Sequence, residues 1–320
     1  MYLTLKDGTA FEGKCLSKTK ETAGFLSIYT GAFGYEEVIT NPANTGKIIL
    51  FTFPEIGATG VNHEDNQSDT VCVAGFICKE YSRYMSNFRA KESLLHYMDS
   101  ADRAVGEGFD TRAILLHLRK AGEQPAVLSE KPLSEEELAA RLDSVEVNYT
   151  PVCSPLKPGA PALKANVVDL GAGKSFYSML CENGIEAAED GEDFDVCIVS
   201  NAPSFLAEDP GIPEMIREAA AGKPLIGFGD GAALAALAAG YKAEPLTLGH
   251  HGTNIPVAMR NSGGKNEITA QNHCYVVGPQ KGIVITAVNL HDKTAEAFRS
   301  KDGMVTGFCY KPADLIKEIK

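Results

Sequence analysis

The stretch 224-PLIGFGDGAALAALAAGY-241 is built to hold a nucleophile and holds none. Its apolar start predicts a buried strand over 225–228, and its run of strong helix formers predicts a helix over 232–239 that stops at Gly240. Between them Gly227, Gly229 and Gly231 alternate through a tight turn. A strand, a glycine-flanked turn and a helix form the elbow that lifts one reactive side chain into a pocket and aims backbone N–H groups beside it. The middle residue here is Gly229. A slip of one residue would put Asp230 at the turn, and a carboxylate can be a nucleophile. Gly227 and Gly231 nevertheless bracket Gly229 symmetrically, so the elbow is read as empty.

Other reactive residues are scattered. Eight cysteines stand at 15, 72, 78, 153, 181, 197, 274 and 309 with no CxxC pair, most of them in apolar runs, and are read as reduced, buried thiols. Cys309 precedes Lys311 by two residues, which on a strand puts both on one side and would let the cation lower the thiol's pKa. His250 and His251 are adjacent and so diverge, with no carboxylate or cysteine at ligand spacing; they are read as structural or interface histidines, and no metal is expected. The string 171-GAGKS-175 lacks the first glycine of a P-loop, whose place is taken by Val168, and reads as a plain strand-to-helix turn. No cofactor is expected. The acidic run 187-AAEDGEDFD-195 reads as a solvated loop.

The elements around these residues fall into two parts. Up to residue 147, short alternating runs predict strands over 2–5, 25–29, 47–53 and 71–77, helices over 89–99 and 111–121, and a short helix opened by the Ser134–Glu137 capping box. This is an α+β pattern. The segment 148–163 carries four prolines and reads as a linker. From 164 to 320 the pattern changes. Strands over 166–170, 196–200 and 225–228 each precede a helix, over 175–183, 213–221 and 232–239, which predicts a mostly parallel, doubly wound sheet. Further strands are predicted over 255–259, 275–277, 283–287 and 304–308. A chain of 320 residues is long enough for two cores. A net charge of -12 without a Lys/Arg run argues against nucleic acid. No apolar stretch approaches the ~20 residues of a membrane span. The N-terminus lacks the charged and apolar regions of a signal peptide, so the expected location is the cytoplasm.

The order of 200-SNAPS-204, 227-GFGDG-231, 249-GHHGTN-254, 269-TAQNHCY-275 and 308-FCYKPAD-314 resembles the glutaminase half of the carbamoyl phosphate synthase small subunit, a class I glutamine amidotransferase family. The first part agrees, through 7-DGTAFEG-13, 34-GYEEVITNPAN-44, 53-FPEIGATGVN-62, 86-SNFR-89 and 110-DTRAILLHLRKAG-122. The resemblance implies an α+β N-terminal domain and an α/β amidotransferase domain. It also implies glutamine hydrolysis through a thioester on an elbow cysteine, with ammonia passed to an ATP-using large subunit that makes carbamoyl phosphate for arginine and pyrimidine synthesis.

Against that family the chain departs where the chemistry sits. The elbow cysteine is Gly229, and the H-P-E sequence that carries the base and its orienting carboxylate is Lys311-Pro312-Ala313. A hydrogen atom cannot attack a carbonyl, and a protonated lysine cannot accept a proton. The N-G-P-G-D substrate loop has Ala202 and Ser204 in place of its glycines, the glutamine after the elbow is Ala233, and the serine of the D-P-S segment is Ala43. Gln271, Asn272 and His273 match their segment, which then continues with Cys274 and Tyr275. Among the glutamine contacts, Asn272 alone matches. Three expectations follow: a pseudo-glutaminase acting as a non-catalytic partner of a large subunit, a repurposed hydrolase or small-ligand sensor built on Asp230, His273 or Cys309, or a residual glutamine-hydrolysing amidotransferase.

Overall fold

The structure, a computed structural model, describes residues 1–144, 151–189, 191–260, 265–312 and 314–319. It divides into two compact units, residues 1–149 with Thr247–Gly249, and residues 150–246 with 250–320. Residues 148–150 of the expected linker lie outside the described residues.

The first unit is built on an eight-stranded mixed sheet. Its centre is Gln124–Ser129, Thr22–Tyr29, Lys47–Phe51, Gly75–Ile77 and Ala104–Glu107, in that order. Alternation along the central strands feeds two cores. Ile49, Phe51 and Phe76 point to one side, and Ile48, Leu50 and Ile77 to the other. Phe51 makes edge contacts with Tyr29, Tyr35 and Phe76, so one ring keys three elements together. The helix Thr111–Ala121 starts where Asp110 accepts a hydrogen bond from the N–H of Ala113, and it buries Ile114 and Leu118. The expected strand over 71–77 shrinks to Gly75–Ile77, because the N–H groups of Cys72 and Val73 go to the carbonyl of Ile39 rather than to a ladder. The expected helix over 89–99 is Leu94–Ser100, capped by Ser93.

The second unit is an α/β layer structure of the kind the strand–helix alternation predicts. Its nine-stranded sheet runs parallel through Ile185–Ala187, Leu163–Val168, Val196–Val199, Leu225–Phe228 and Val305–Phe308. It continues antiparallel through Ala295–Ser300, Ile283–Asn289, Glu244–Met259 and Asn266–Val276. Helices cover both faces of the parallel half. Ile198, Ile226 and Phe228 pack with Tyr177 and Leu180 of the helix Lys174–Glu182. Cys197, Val199 and Leu225 pack on the other side with Ile216 and Leu234 of the helices Gly211–Ala220 and Asp230–Ala238. The strand Ala295–Ser300 was not expected from the sequence, and the strands at 244–259 and 266–276 are much longer than the expected ones.

The elbow helix Asp230–Ala238 is apolar all round and buried on nearly every residue. Its alanines let it lie close to the sheet. A Cβ on Gly231 would fall 1.9 Å from the carbonyl oxygen of Ser200, and one on Gly227 would fall 2.3 Å from that of Gly231. These two glycines therefore serve packing of helix on strand. No helix among the described residues is long and apolar enough to cross a membrane.

Candidate functional site

The strand Leu225–Phe228 delivers the chain to Gly229, whose φ of 56° and ψ of -129° lie in the left-handed half of conformational space. This is the sharp strand-to-helix turn of a nucleophile elbow. The N–H of Gly229 donates to the carbonyl of Phe308 on the neighbouring strand, which fixes the turn. The space a nucleophile would enter is filled. A Cβ at position 229 would stand 2.2 Å from Oδ1 of Asn201. That same oxygen accepts hydrogen bonds from the N–H of Asp230 at 2.8 Å and of Ala202 at 2.9 Å, while the Asn201 Nδ2 donates to the carbonyl of Asn272 at 2.8 Å. The donor that follows an elbow nucleophile is the one that would stabilise an oxyanion. Here it is engaged by a side chain of the same chain. Sequence reasoning passed over Asn201, because its role is set by contacts across three segments.

The residues expected to line the vestigial pocket divide. Asp230, 1% exposed, turns Oδ1 to the N–H groups of Cys274 and Tyr275 at 2.8 and 2.9 Å. It thereby pins the strand Asn266–Val276 to the first turn of the elbow helix. Asn272 presents Oδ1 to Nδ1 of His251 at 2.7 Å, and Cys274 sets its sulfur 3.5 Å from Nε2 of the same ring. The Tyr275 hydroxyl donates to Glu208, and its pKa is pushed up to about 12, first by burial and then by that carboxylate. Ala202, Ser204 and Ala233 are buried around the elbow. Ala43 is buried in the first unit, in the short 3-10 turn Pro42–Asn44.

Lys311, expected at the position of the family's base, is 54% exposed and pairs with Glu182 at 3.6 Å. Ala313 lies outside the described residues. The strand ends at Phe308, so the expected placement of Lys311 and Cys309 on one strand face does not occur. Cys309 is 6% exposed; burial raises its pKa, and His273 beside it pulls it back.

His273 belongs to a buried polar layer that no spacing rule exposed. Four neighbouring strands contribute to it. His250 and His273 are directly paired across two of them, with rings edge-on and centroids 4.9 Å apart. Nδ1 of His250 lies 3.1 Å from Oε1 of Glu296, and Nε2 of His273 lies 3.6 Å from Oε2. Asn289 donates to Glu296 at 2.7 Å. Burial alone would lower the His273 pKa, but the Cys309 sulfur and the Glu296 carboxylate hold it well above the usual value. Burial alone would raise Glu296, but the imidazoles of His250 and His273 beside it bring it down to about 2. The segments 249–254, 269–275 and 289–298 were each legible as framework; their meeting point was not.

At 171-GAGKS-175 the N–H groups of Gly171 and Ala172 donate to Oδ1 of Asp169, whose other oxygen accepts from the Tyr177 hydroxyl. A carboxylate of the chain's own takes the place an anion would need.

The elbow stands at the end of a parallel strand and leads into a buried helix. Residues 162–312 match the family described as glutamine amidotransferase class-I, and residues 3–128 match the carbamoyl-phosphate synthase small chain, CPSase domain. The chain is 32% identical over 335 residues to the carbamoyl phosphate synthase small chain of Caldanaerobacter subterraneus subsp. tengcongensis, covering 97% of this chain and 90% of the relative. It is similarly 32% identical to that of Aquifex aeolicus, with 97% and 92% covered, and 31% identical to that of Archaeoglobus fulgidus, with 97% and 92% covered. The chain belongs to the carbamoyl phosphate synthase small-chain family.

Proposed function

We propose that this chain is a small-chain family member without glutaminase activity, which acts as a non-catalytic partner of a carbamoyl phosphate synthase large chain using free ammonia. The observation that carries this reading is the state of the elbow. Its central residue has no side chain, and the amide of Asn201 occupies both the nucleophile's space and the Asp230 N–H. Lys311 at the base position points away to a surface carboxylate. Removing a whole triad costs a well-studied protease ~10^6 in turnover. Here the substrate loop has changed as well, so glutamine turnover is expected to be undetectable.

The alternative hydrolase would need Asp230, His273 or Cys309 to meet a substrate. They are 1%, 0% and 6% exposed, which favours the scaffold reading. The framework is kept around the emptied site: Gly227 and Gly231 still allow helix to lie on strand, and Asp230 still ties the elbow to the sheet.

The test is to purify the chain with its large chain and assay carbamoyl phosphate synthesis with glutamine or with ammonium. Synthesis is expected with ammonium alone, and at a rate unaffected by a thiol reagent directed at glutaminases. Glutamine-dependent synthesis that the reagent abolishes would refute the reading.

A further inference from the structure

The antiparallel half of the second unit brings two imidazoles and a carboxylate together inside the protein, and nothing in the glutaminase reading uses them. His250 and His273 come from directly paired strands, so their side chains share one face. Glu296 reaches them from the strand Ala295–Ser300, with Asn289 on the strand between. The nitrogens and carboxylate oxygens that could bind an ion lie within 4.8 Å of one another.

The hydrogen bonds on the far sides of the rings fix what faces inward. Nε2 of His250 is held by Asp292 at 2.9 Å, and Nδ1 of His273 by the carbonyl of Tyr275 at 3.0 Å. When each ring donates its proton outward, His250 Nδ1 and His273 Nε2 turn lone pairs inward. Inward, His250 Nδ1 faces Glu296 Oε1 at 3.1 Å and the Asn289 amide nitrogen at 3.4 Å, and His273 Nε2 faces Gln271 Oε1 at 3.2 Å and Glu296 Oε2 at 3.6 Å. The Gln271 amide is oriented this way because its Nε2 donates to Thr269. Oε2 of Glu296 is buried with no hydrogen-bond partner among the described residues. Two imidazole nitrogens turned toward a buried carboxylate whose second oxygen lacks a hydrogen-bond partner among the described residues leave a place for a positive centre.

We infer that His250, His273 and Glu296 form a buried site for a divalent transition-metal ion of the zinc type. Ligands bonded to zinc at ~2.0–2.2 Å in a tetrahedral arrangement stand ~3.3 Å apart, and the two nitrogen-to-carboxylate separations bracket that value. The two-histidine, one-carboxylate donor set suits zinc rather than magnesium or calcium. Asp292 and the Tyr275 carbonyl are the outer partners that orient metal-bound histidines. The ion's role is to join three strands of the sheet, and the inference is independent of whether glutamine is hydrolysed.

The test uses the full chain, stripped with a chelator and titrated with cobalt(II) and then zinc(II). One equivalent of cobalt with the intense visible bands of four-coordination, displaced by zinc, is expected. His250→Gln and His273→Gln should each abolish it, with folding checked by circular dichroism. Asp292→Asn, at a half-exposed position that should tolerate the change, should weaken binding about 10–100-fold. His96→Gln, at an exposed position in the first unit, should leave it unchanged. No stoichiometric binding by the unaltered chain would overturn the site whatever the variants do. So would binding that survives loss of His250 and His273 but disappears in His251→Gln, because the ion would then sit at His251 and Cys274.

Discussion

Gly229 sits near a backbone region that is almost exclusive to glycine, and a side chain there costs about 1–3 kcal/mol in strain. The new Cβ must also expel the Asn201 amide, leaving the N–H groups of Asp230 and Ala202 without that acceptor. Gly229→Ala is therefore expected to destabilise the chain by about 2–5 kcal/mol in urea unfolding. Asn201→Gly removes the clash while giving up the same hydrogen bonds. The double variant should thus be less damaged than the sum of the singles, by roughly 1–2 kcal/mol. Strict additivity would show that Asn201 is not what fills the elbow. The same logic says that Gly229→Cys alone restores nothing, since the thiol would arrive strained, crowded and without a base. The other thiols obey burial. Cys78 and Cys197 are pushed up to about 12 by desolvation, and Cys309 is raised as well. A raised thiol pKa means the reactive thiolate appears only as pH climbs toward that value, so at pH 8 about 10^-4 of such a group is ionised. Alkylation of the native chain at that pH should label the half-buried Cys15, Cys72, Cys153 and Cys181 and leave Cys78, Cys197 and Cys309 unmodified, as read by peptide mass spectrometry. Rapid labelling of Cys309 would return weight to the repurposed-hydrolase reading.

Between the elbow helix and the strand Asn266–Val276 the tie is one carboxylate. Asp230→Ala would strand the N–H groups of Cys274 and Tyr275 in a buried setting, at about 1–3 kcal/mol each. An unfolding loss of roughly 3 kcal/mol or more is expected, and a loss under 1 kcal/mol would mean those donors find water. The helix, its strand and the glycine turn between them were all legible from residues 224–241, because apolar runs and glycine punctuation are local signals. Less local structure was not. The strand Ala295–Ser300 hides as AEAFRS, with Glu296 where alternation demands an apolar residue, since its partners are histidines from distant strands. The strand Glu244–Met259 carries Pro245, Gly249 and Gly252, which read as breakers; it absorbs them with register shifts on either side of His250–Gly252. The same non-locality hid the polar layer: His250 looked unpartnered beside His251, and its true neighbours lie 23 and 46 positions further along the chain, at His273 and Glu296.

For the molecule as a whole, the family was readable because framework motifs keep their order over nearly the full length, while the pocket between those motifs was readable only as losses. What the chain does with its retained framework turns on its surface. The first unit exposes Phe33, Phe53, Tyr84, Met85 and Phe88, with Tyr84 and Phe88 at 83% and 96%. Their segments adjoin: the Tyr29 hydroxyl donates to the Phe33 carbonyl, Thr52 pairs with Tyr29, Glu80 with Pro54, and Ser86 with Ala58. Large exposed apolar side chains on neighbouring loops mark interaction surfaces, and aromatic residues carry most of the binding energy there. If this chain serves a large chain as a scaffold, these loops are the surface to dock it. Tyr84→Asp and Phe88→Asp should each weaken large-chain binding by about 2 kcal/mol or more, roughly thirtyfold, in a calorimetric or surface-binding titration. Both side chains are solvent-exposed, so the thermal midpoint of the free chain should stay within a degree or two, about the change expected of surface substitutions. Unchanged affinity in both variants would move the docking surface elsewhere, and a chain that binds no large chain at all would leave the emptied elbow without the partner that explains its retention.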